Sequence, residues 1–311
     1  MAETPPRVVL HPDRPPGVLD EVRALADRGL VSLVDCADDD EVAAALAEPG
    51  SVYVGYRWRE DFLTDGLAWV QVTAAGVDAF PLEDLAARDV VVCNAGGVLA
   101  DCVAEHAFAT LLAMTRGVLD SYDDQRAHRW VRRTSPELSQ LTMGVLGLGA
   151  IGQEVAVRAR AFGMDVLGLR RSGHPVDGVE VLTPDRLGEL CTRADVLVAV
   201  LPGGEATRGL VGAPELAALG EGWLVNVGRG STVDEDAVVA ALTGGALRGA
   251  ALDVVATEPL PADSPLWDVP GLLLTGHSAA LSPRWGSAWA GLFESNLGAA
   301  RGERGWTSRV A

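Results

Sequence analysis

Lysine is missing from this chain. Of its 311 residues 25 are basic, and every one of them is arginine. That excludes a Schiff-base lysine, a phosphate-loop lysine and a lysine general base. Cysteine is scarce as well, with only Cys36, Cys93, Cys102 and Cys191. None forms a C-x-x-C pair and no Cys/His group has zinc-site spacing, so no metal is expected and the thiols read as reduced and mostly buried. No apolar run approaches the ~18 residues of a membrane span. The first residues, MAETPPRVVLHPDRPPG, lack a charged-then-apolar leader, so a cytoplasmic location is expected. Basic charge is in deficit, with a formal net charge of −18. Such a surface repels nucleic acid and anionic membranes, and neither is expected as a partner.

What the chain has in quantity is glycine, 36 residues, within a composition that is 48% hydrophobic. Glycine with Val/Leu/Ala runs suits the short strands and tight turns of an α/β protein, and the length suggests about two domains. RVVLH (Arg7–His11), LVSLVD, SVYVGY, AWVQVTAA and VVVCN read as short strands. DEVRALADRG (Asp20–Gly29) reads as a helix with a glycine stop. From Val98 a long helical pattern, VLADCVAEHAFATLLAMTRGV, leads through a polar stretch with Trp130 to a second strand–helix series. That series holds DVLGLR, DVLVAVLP, GWLVNVG, GAALDV and GLLLTGH, and a last helical segment covers Ser282–Ala300. Strand–helix alternation implies parallel sheets. The expected division is a discontinuous domain of residues 1–97 and 282–311 with a domain of residues 98–281 inserted into it.

GLGAIG places Gly147, Gly149 and Gly152 between an apolar strand pattern and a helical one. That is the context of a dinucleotide-binding loop. Gly147 permits the turn, Gly149 lets a pyrophosphate approach the backbone, and Gly152 lets helix and strand pack closely. The N–H groups around Ala150 and Ile151 open the helix toward the phosphates. The next strand pattern ends at Arg170, where an NAD-binding unit needs an acidic acceptor for the ribose 2′-hydroxyl. Arg170, Arg171 and Ser172 can donate to a 2′-phosphate instead, so NADP is expected over NAD, with NAD still possible.

Three further segments follow strand patterns: NVGRGSTVDE with Arg229, ALDVVATEPL with Asp253 and Glu258, and LTGHSAAL with His277. Taken singly, Arg229 reads as a surface ion pair, His277 as a structural histidine, and Asp253 and Glu258 as loop caps. In open α/β sheets, however, ligands bind beyond the carboxyl ends of the strands, where all three segments lie. His106, inside the helical pattern AEHAF, reads as structural. His11, His128 and His174 sit in no motif. Trp130 and Trp285 flank motif regions and suit either core or pocket.

With these motifs in this order, the chain resembles the D-isomer-specific 2-hydroxyacid dehydrogenases. AAGVDAF, VCNAGGVLADCVAEHAF, SPELSQLTMGVLGLGAIG, VLPGGEATRGLVG, LVNVGRGSTVDEDAVVAAL and ALDVVATEPLPADSPLWDVPGLLLTGHSAA carry the resemblance over nearly the whole length. Within the family it is most similar to the NADPH-linked glyoxylate/hydroxypyruvate reductases, through the arginine-rich segment and EPLPADSPLW. The resemblance implies two Rossmann-like parallel-sheet domains, the nucleotide-binding one inserted into a discontinuous substrate domain. It implies reduction of a small 2-keto acid, with Arg229 on the substrate carboxylate and keto oxygen and His277 giving the proton. Glu258 would orient the imidazole and favour its charged form. Backbone N–H groups of Ala75, Gly76 and Val77 would hold the substrate carboxylate. Cofactor contacts would extend to Leu201, Pro202, Thr207, Val227, Gly228, Asp253 (on the nicotinamide carboxamide) and His277 itself. A homodimer through Val98–Arg129 is implied too.

Related enzymes and one non-enzyme class are the alternatives. Formate dehydrogenases of this superfamily have Gln where Glu258 stands, and phosphite dehydrogenases use a lysine. A 2-hydroxyacid dehydrogenase of a larger or biosynthetic substrate stays open. A nucleotide-sensing scaffold would be favoured by loss of Arg229, Glu258 or His277, and all three are present. One departure stands out: Gly276 occupies the place before His277 where the family usually has proline.

Overall fold

The computed structural model describes residues 4–311, which fall into two compact units. One holds the chain up to Leu99 together with Leu281–Ala311; the other holds Ala100–Ala280.

The first unit alternates strand and helix: β1 (Arg7–Leu10), α1 (Val18–Asp27), β2 (Ser32–Asp35), α2 (Asp39–Leu46), β3 (Ser51–Gly55), β4 (Leu67–Val72), α3 (Leu82–Ala87) and β5 (Val91–Cys93). Its strands form one parallel sheet in the order β2-β1-β3-β4-β5. Valines dominate these strands because β-branched side chains pack on a pleated surface that is covered on both faces. Every residue of β3, SVYVG, is buried accordingly.

The second unit opens with α4 (Ala100–Thr115) and α5 (Val118–Arg126). The helical pattern from Val98 is therefore two helices, broken where Gly117 takes φ 62°. There follow β6 (Thr142–Leu146), α6 (Ala150–Ala161), β7 (Asp165–Leu169), β8 (Glu180–Leu182), α7 (Leu187–Arg193), β9 (Val196–Ala199), α8 (Ala213–Leu219), β10 (Trp223–Asn226), α9 (Glu235–Thr243), β11 (Gly249–Leu252) and β12 (Leu272–Leu274). All seven strands are parallel, in the order β12-β11-β10-β9-β6-β7-β8. The order reverses between β6 and β9, as in doubly wound dinucleotide-binding sheets. One apolar layer, with Phe108, Val145 and Val225, fills one face, and another, with Leu146, Leu197 and Leu252, fills the other.

The chain then returns to the first unit with α10 (Trp285–Ala300), whose Trp289 and Phe293 are fully buried and stack at 4.9 Å. Helix α10 lies so close to the start of α1 that a β-carbon on Gly286 would stand 2.9 Å from the Gly17 carbonyl carbon. Trp285 packs against this same core, whereas Trp130 is 96% exposed and belongs to no core. His11 is buried, with Nε2 3.0 Å from Asp39. No helix of the described residues is long and apolar enough to cross a membrane.

Candidate active site

The connection from β6 to α6 is the glycine loop. Gly147 takes φ 102°, open to glycine without strain, and the N–H groups of Gly147 and Leu148 both donate to Leu169 O at 3.2 Å. A β-carbon on Gly152 would sit 1.9 Å from Gly147 O, so only glycine allows α6 to begin this close to its strand. Gly149 is the reverse case: nothing lies within 4 Å of its missing β-carbon. Gly149 and Ala150 are exposed at the start of α6, and among the described residues their N–H groups have no acceptor. An exposed cradle with free N–H donors at a helix N-terminus fits a pyrophosphate. Ile151 lies half-buried behind it.

Strand β7 runs beside β6, so Arg170 leaves the sheet next to this loop. Its N–H is tied to Leu182 O at 2.9 Å, which fixes the backbone and leaves the side chain to point elsewhere. Neighbouring cations are taken: Arg160 pairs with Asp177, and Arg193 with Glu180 and Glu189. Among the described residues, neither Arg170 nor Arg171 has a carboxylate within salt-bridge distance. Exposed Ser172 follows, its Oγ facing the His174 N–H at 3.5 Å.

The segments after β9 and β10 meet. A β-carbon on Gly228 would lie 2.7 Å from Leu201 O, and one on Gly147 3.2 Å from Leu201 Cδ2. Val227 N–H donates to Ala199 O at 3.1 Å, and Thr207 Oγ1 to Pro202 O at 2.7 Å. Leu201 thus touches the glycine loop, and Gly228 packs against Leu201. Arg229 comes next, half-buried, its carbonyl held by Asn226 Nδ2 at 3.0 Å and Thr232 Oγ1 at 2.6 Å. Asn226 is fully buried and also accepts the Gly228 N–H at 3.1 Å, so one side chain shapes the whole turn. The guanidinium donates to Gly228 O at 2.8 Å. Gly230 presses against the next segment, its missing β-carbon 2.0 Å from the Val255 carbonyl carbon.

Beyond β11 and β12 lies a histidine–carboxylate pair. His277 Nδ1 is 2.7 Å from Glu258 Oε2, while Glu258 Oε1 accepts the Val255 N–H at 3.0 Å. His277 itself has φ 49°, a left-handed conformation uncommon for a residue with a side chain. Its loop is wrapped around Asp253. The His277 N–H donates to Asp253 O at 2.7 Å; Ser278 N–H donates to Oδ1 at 2.9 Å, Ala279 N–H to Oδ2 at 3.0 Å, and Thr275 Oγ1 to Oδ1 at 2.6 Å. Asp253 is buried, and these donors compensate its loss of water. Gly276 has open space around it. A cavity of about 520 Å³ opens here, where Val255, Leu260, Trp267 and Leu274 face Glu258 and His277.

Ala75, Gly76 and Val77 lie in the first unit, just past β4. Among the described residues of that unit their N–H groups have no acceptor, while Asn94 Nδ2 holds the loop by Ala75 O at 2.6 Å. Sequence reasoning missed Asn226, Val255, Thr275 and Ser278, and it gave His106 no part near the site. Asn226 and Thr275 each stand within three residues of a residue it did single out, at a strand end, and that position was the available signal.

The chain belongs to the D-isomer specific 2-hydroxyacid dehydrogenase family. Residues 108–279 match its NAD-binding domain and residues 20–133 its catalytic domain. The chain is 37% identical over 270 residues to D-3-phosphoglycerate dehydrogenase of Mycobacterium tuberculosis, covering 83% of this chain and 50% of that one. It thus spans about half the length of those relatives. It is 33% identical over 285 residues to glyoxylate/hydroxypyruvate reductase B of Pectobacterium carotovorum, covering 88% and 87%. Among solved structures, NADPH-dependent glyoxylate/hydroxypyruvate reductase of Sinorhizobium meliloti, in complex with NADP and malonate, is 31% identical. It matches with TM-score 0.81 over 98% of this chain and 97% of that one.

Proposed function

We propose that this protein is an NADPH-dependent reductase of small 2-keto acids of the glyoxylate/hydroxypyruvate type. The observation that carries the reading is the His277–Glu258 pair at 2.7 Å, on strand ends of the sheet that bears the glycine loop. The cofactor, when bound along that loop, supplies a hydride to the keto carbon. Glu258 occupies His277 Nδ1, so Nε2 is the nitrogen left to give a proton to the substrate carbonyl oxygen. The left-handed backbone at His277 and the Asp253 wrap fix that ring, which keeps the donor oriented before substrate arrives. The planar, two-pronged guanidinium of Arg229 suits the substrate carboxylate and its neighbouring oxygen. In the first unit, the free N–H groups of Ala75, Gly76 and Val77 suit a carboxylate as well. Leu201, Pro202, Thr207, Val227 and Gly228 would line the cofactor, and Asp253 would meet the nicotinamide carboxamide with lone pairs its loop leaves open.

The cofactor preference rests on Arg170 and Arg171, two cations without a carboxylate at the strand end beside the phosphate loop, with Ser172 next to them. A 2′-phosphate accepts several charge-assisted hydrogen bonds from such a group. Val118, Leu119, Tyr122, Trp130 and Val131 are all exposed along α5 and the segment after it. Exposed apolar side chains on so acidic a chain suit a second copy of itself, which supports a homodimer through the Val98–Arg129 region.

A second substrate reading, a dehydrogenase of a larger hydroxy acid, is favoured by the 37% identity to D-3-phosphoglycerate dehydrogenases. Steady-state rates decide between the two. Glyoxylate, hydroxypyruvate, pyruvate and a bulkier keto acid are compared with NADPH and NADH, and D-3-phosphoglycerate is tested in the oxidative direction. Highest kcat/KM for glyoxylate or hydroxypyruvate with NADPH is expected. Faster turnover of D-3-phosphoglycerate would replace the reading, and no turnover of any of them would favour a nucleotide-sensing scaffold.

A further inference from the structure

His106 projects from the middle of α4, a rigid element packed on the sheet through Phe108 and Leu111. Its Nε2 lies 3.0 Å from Thr275 Oγ1 and 3.3 Å from Asp253 Oδ1. Thr275 has a single hydroxyl proton, and that proton goes to Asp253 Oδ1 at 2.6 Å. Thr275 Oγ1 can therefore only accept from the imidazole, which assigns the proton of His106 to Nε2. Imidazole, hydroxyl and carboxylate form a triangle, and the carboxylate holds the N–H groups of Ser278 and Ala279 on the far side of His277. Residue 277 is thus pinned on both flanks, by Thr275 before it and by Ser278 and Ala279 after it, and every pin ends on Asp253.

We propose that His106 is a positioning residue for His277, acting through Thr275 and Asp253. A left-handed backbone at a residue with a side chain persists only where its surroundings over-determine it. The Thr275 hydroxyl has to face Asp253 for its part of that constraint, and an Nε2 donor within reach of both oxygens holds the pair together. Without that donor the hydroxyl is free to rotate away, Asp253 Oδ1 loses one of its short contacts, and the His277 ring loses its fixed aim. The side chain of His106 is only 21% exposed, so solvent is a poor replacement for the lost donor. A histidine that merely filled space would need no such alignment of its Nε2.

The kinetic side of this inference rests on the keto-acid reductase reading, so the test has a second arm that does not. His106→Ala, His106→Gln, Thr275→Val and the double variant His106→Ala/Thr275→Val are compared with the wild type in the full chain. Glutamine places an N–H near the position of Nε2. Expected for His106→Ala is a kcat lowered ~10–100-fold, the cost of a slightly misplaced group, with KM and the NADPH dissociation constant within about twofold. His106→Gln should recover most of the loss, and the double variant should be no worse than Thr275→Val alone, because both act on one network. In the independent arm, amide hydrogen exchange at Ser278 and Ala279 should quicken at least ~tenfold in His106→Ala and return in His106→Gln. Wild-type exchange at both amides in His106→Ala overturns the proposal, whatever the enzyme's substrate proves to be. So does a glutamine variant as impaired as the alanine one. Altered exchange in an enzyme that turns over no keto acid would instead sink the reductase reading and leave the positioning role standing.

Discussion

Glu258 faces two ways at once: one carboxylate oxygen meets His277 Nδ1 at 2.7 Å and the other accepts the Val255 N–H at 3.0 Å. The backbone contact fixes the carboxylate, and the carboxylate fixes the ring. His277→Ala should therefore reduce turnover by ~10²–10⁴-fold while NADPH binding stays near the wild-type value. Glu258→Gln keeps the shape but loses the charge opposite the imidazole and should cost at least ~tenfold in kcat. Stopped-flow hydride transfer and a fluorescence titration of NADPH check both. A His277→Ala enzyme of normal turnover would place the proton donor elsewhere.

Arg170→Asp converts a donor into an acceptor beside the glycine loop. It should repel a 2′-phosphate and offer the ribose hydroxyl of NADH a partner. The NADPH/NADH ratio of kcat/KM should fall at least ~tenfold, about 1.4 kcal/mol. Since the arginines stand partly in solvent, added salt should narrow the wild-type preference. A wild-type enzyme that uses both cofactors equally would reduce Arg170 and Arg171 to solvated strand-end residues.

Gly152 and Gly149 separate folding from binding. Gly152→Ala puts a methyl 1.9 Å from Gly147 O, so both the melting temperature and cofactor affinity should drop, overpacking costing about 1–3 kcal/mol. Gly149→Ala meets nothing of the protein and should melt as the wild type does, yet bind NADPH more than ~tenfold more weakly. Thermal melts and titrations read the two effects. Normal affinity in Gly149→Ala would mean that the pyrophosphate lies elsewhere.

Burial pushes the thiols of Cys36, Cys93 and Cys191 up to about 11. The neutral form then persists as pH rises, and at pH 8 only about one thiol in a thousand is ionised. Iodoacetamide at pH 8 should leave these three cysteines unmodified in the folded protein and label all of them in denaturant. Stoichiometric labelling of any one of them in the native state, read by peptide mass spectrometry, would contradict their burial.

The exposed Trp130 and Leu119 offer a test of assembly. Light scattering at micromolar concentration should give twice the chain mass, and Trp130→Glu with Leu119→Asp should halve it while leaving the far-ultraviolet circular dichroism unchanged. A wild-type monomer would refute the homodimer.

Alternating apolar runs were enough to read the strand–helix series, because strands covered on both faces must be apolar throughout. The three residues of β8 escaped notice: Glu180 and Val181 are not buried, so the strand has no unbroken apolar run. The helix from Val98 was read as one because Arg116 and Gly117 interrupt no polar–apolar rhythm, while a left-handed turn at Gly117 depends on backbone geometry that side-chain pattern does not encode. At the candidate site, the residues with chemistry on their side chains were legible: Arg229, Asp253, Glu258 and His277. Those that work by holding others were not. Asn226 shapes the Arg229 turn from a fully buried position, and His106 reaches Thr275 across 169 residues of chain. Such contacts arise only once the sheet has formed.

Ser278 and Ala279 contribute to the His277 loop through main-chain N–H groups alone. At Ser278, then, almost any amino acid can stand without loosening that hydrogen bond, and a scan that swaps side chains would find the position indifferent. Proline is the exception, because it removes the donor itself. A residue can thus be free to drift in identity while its backbone is indispensable to the geometry of the His277 loop.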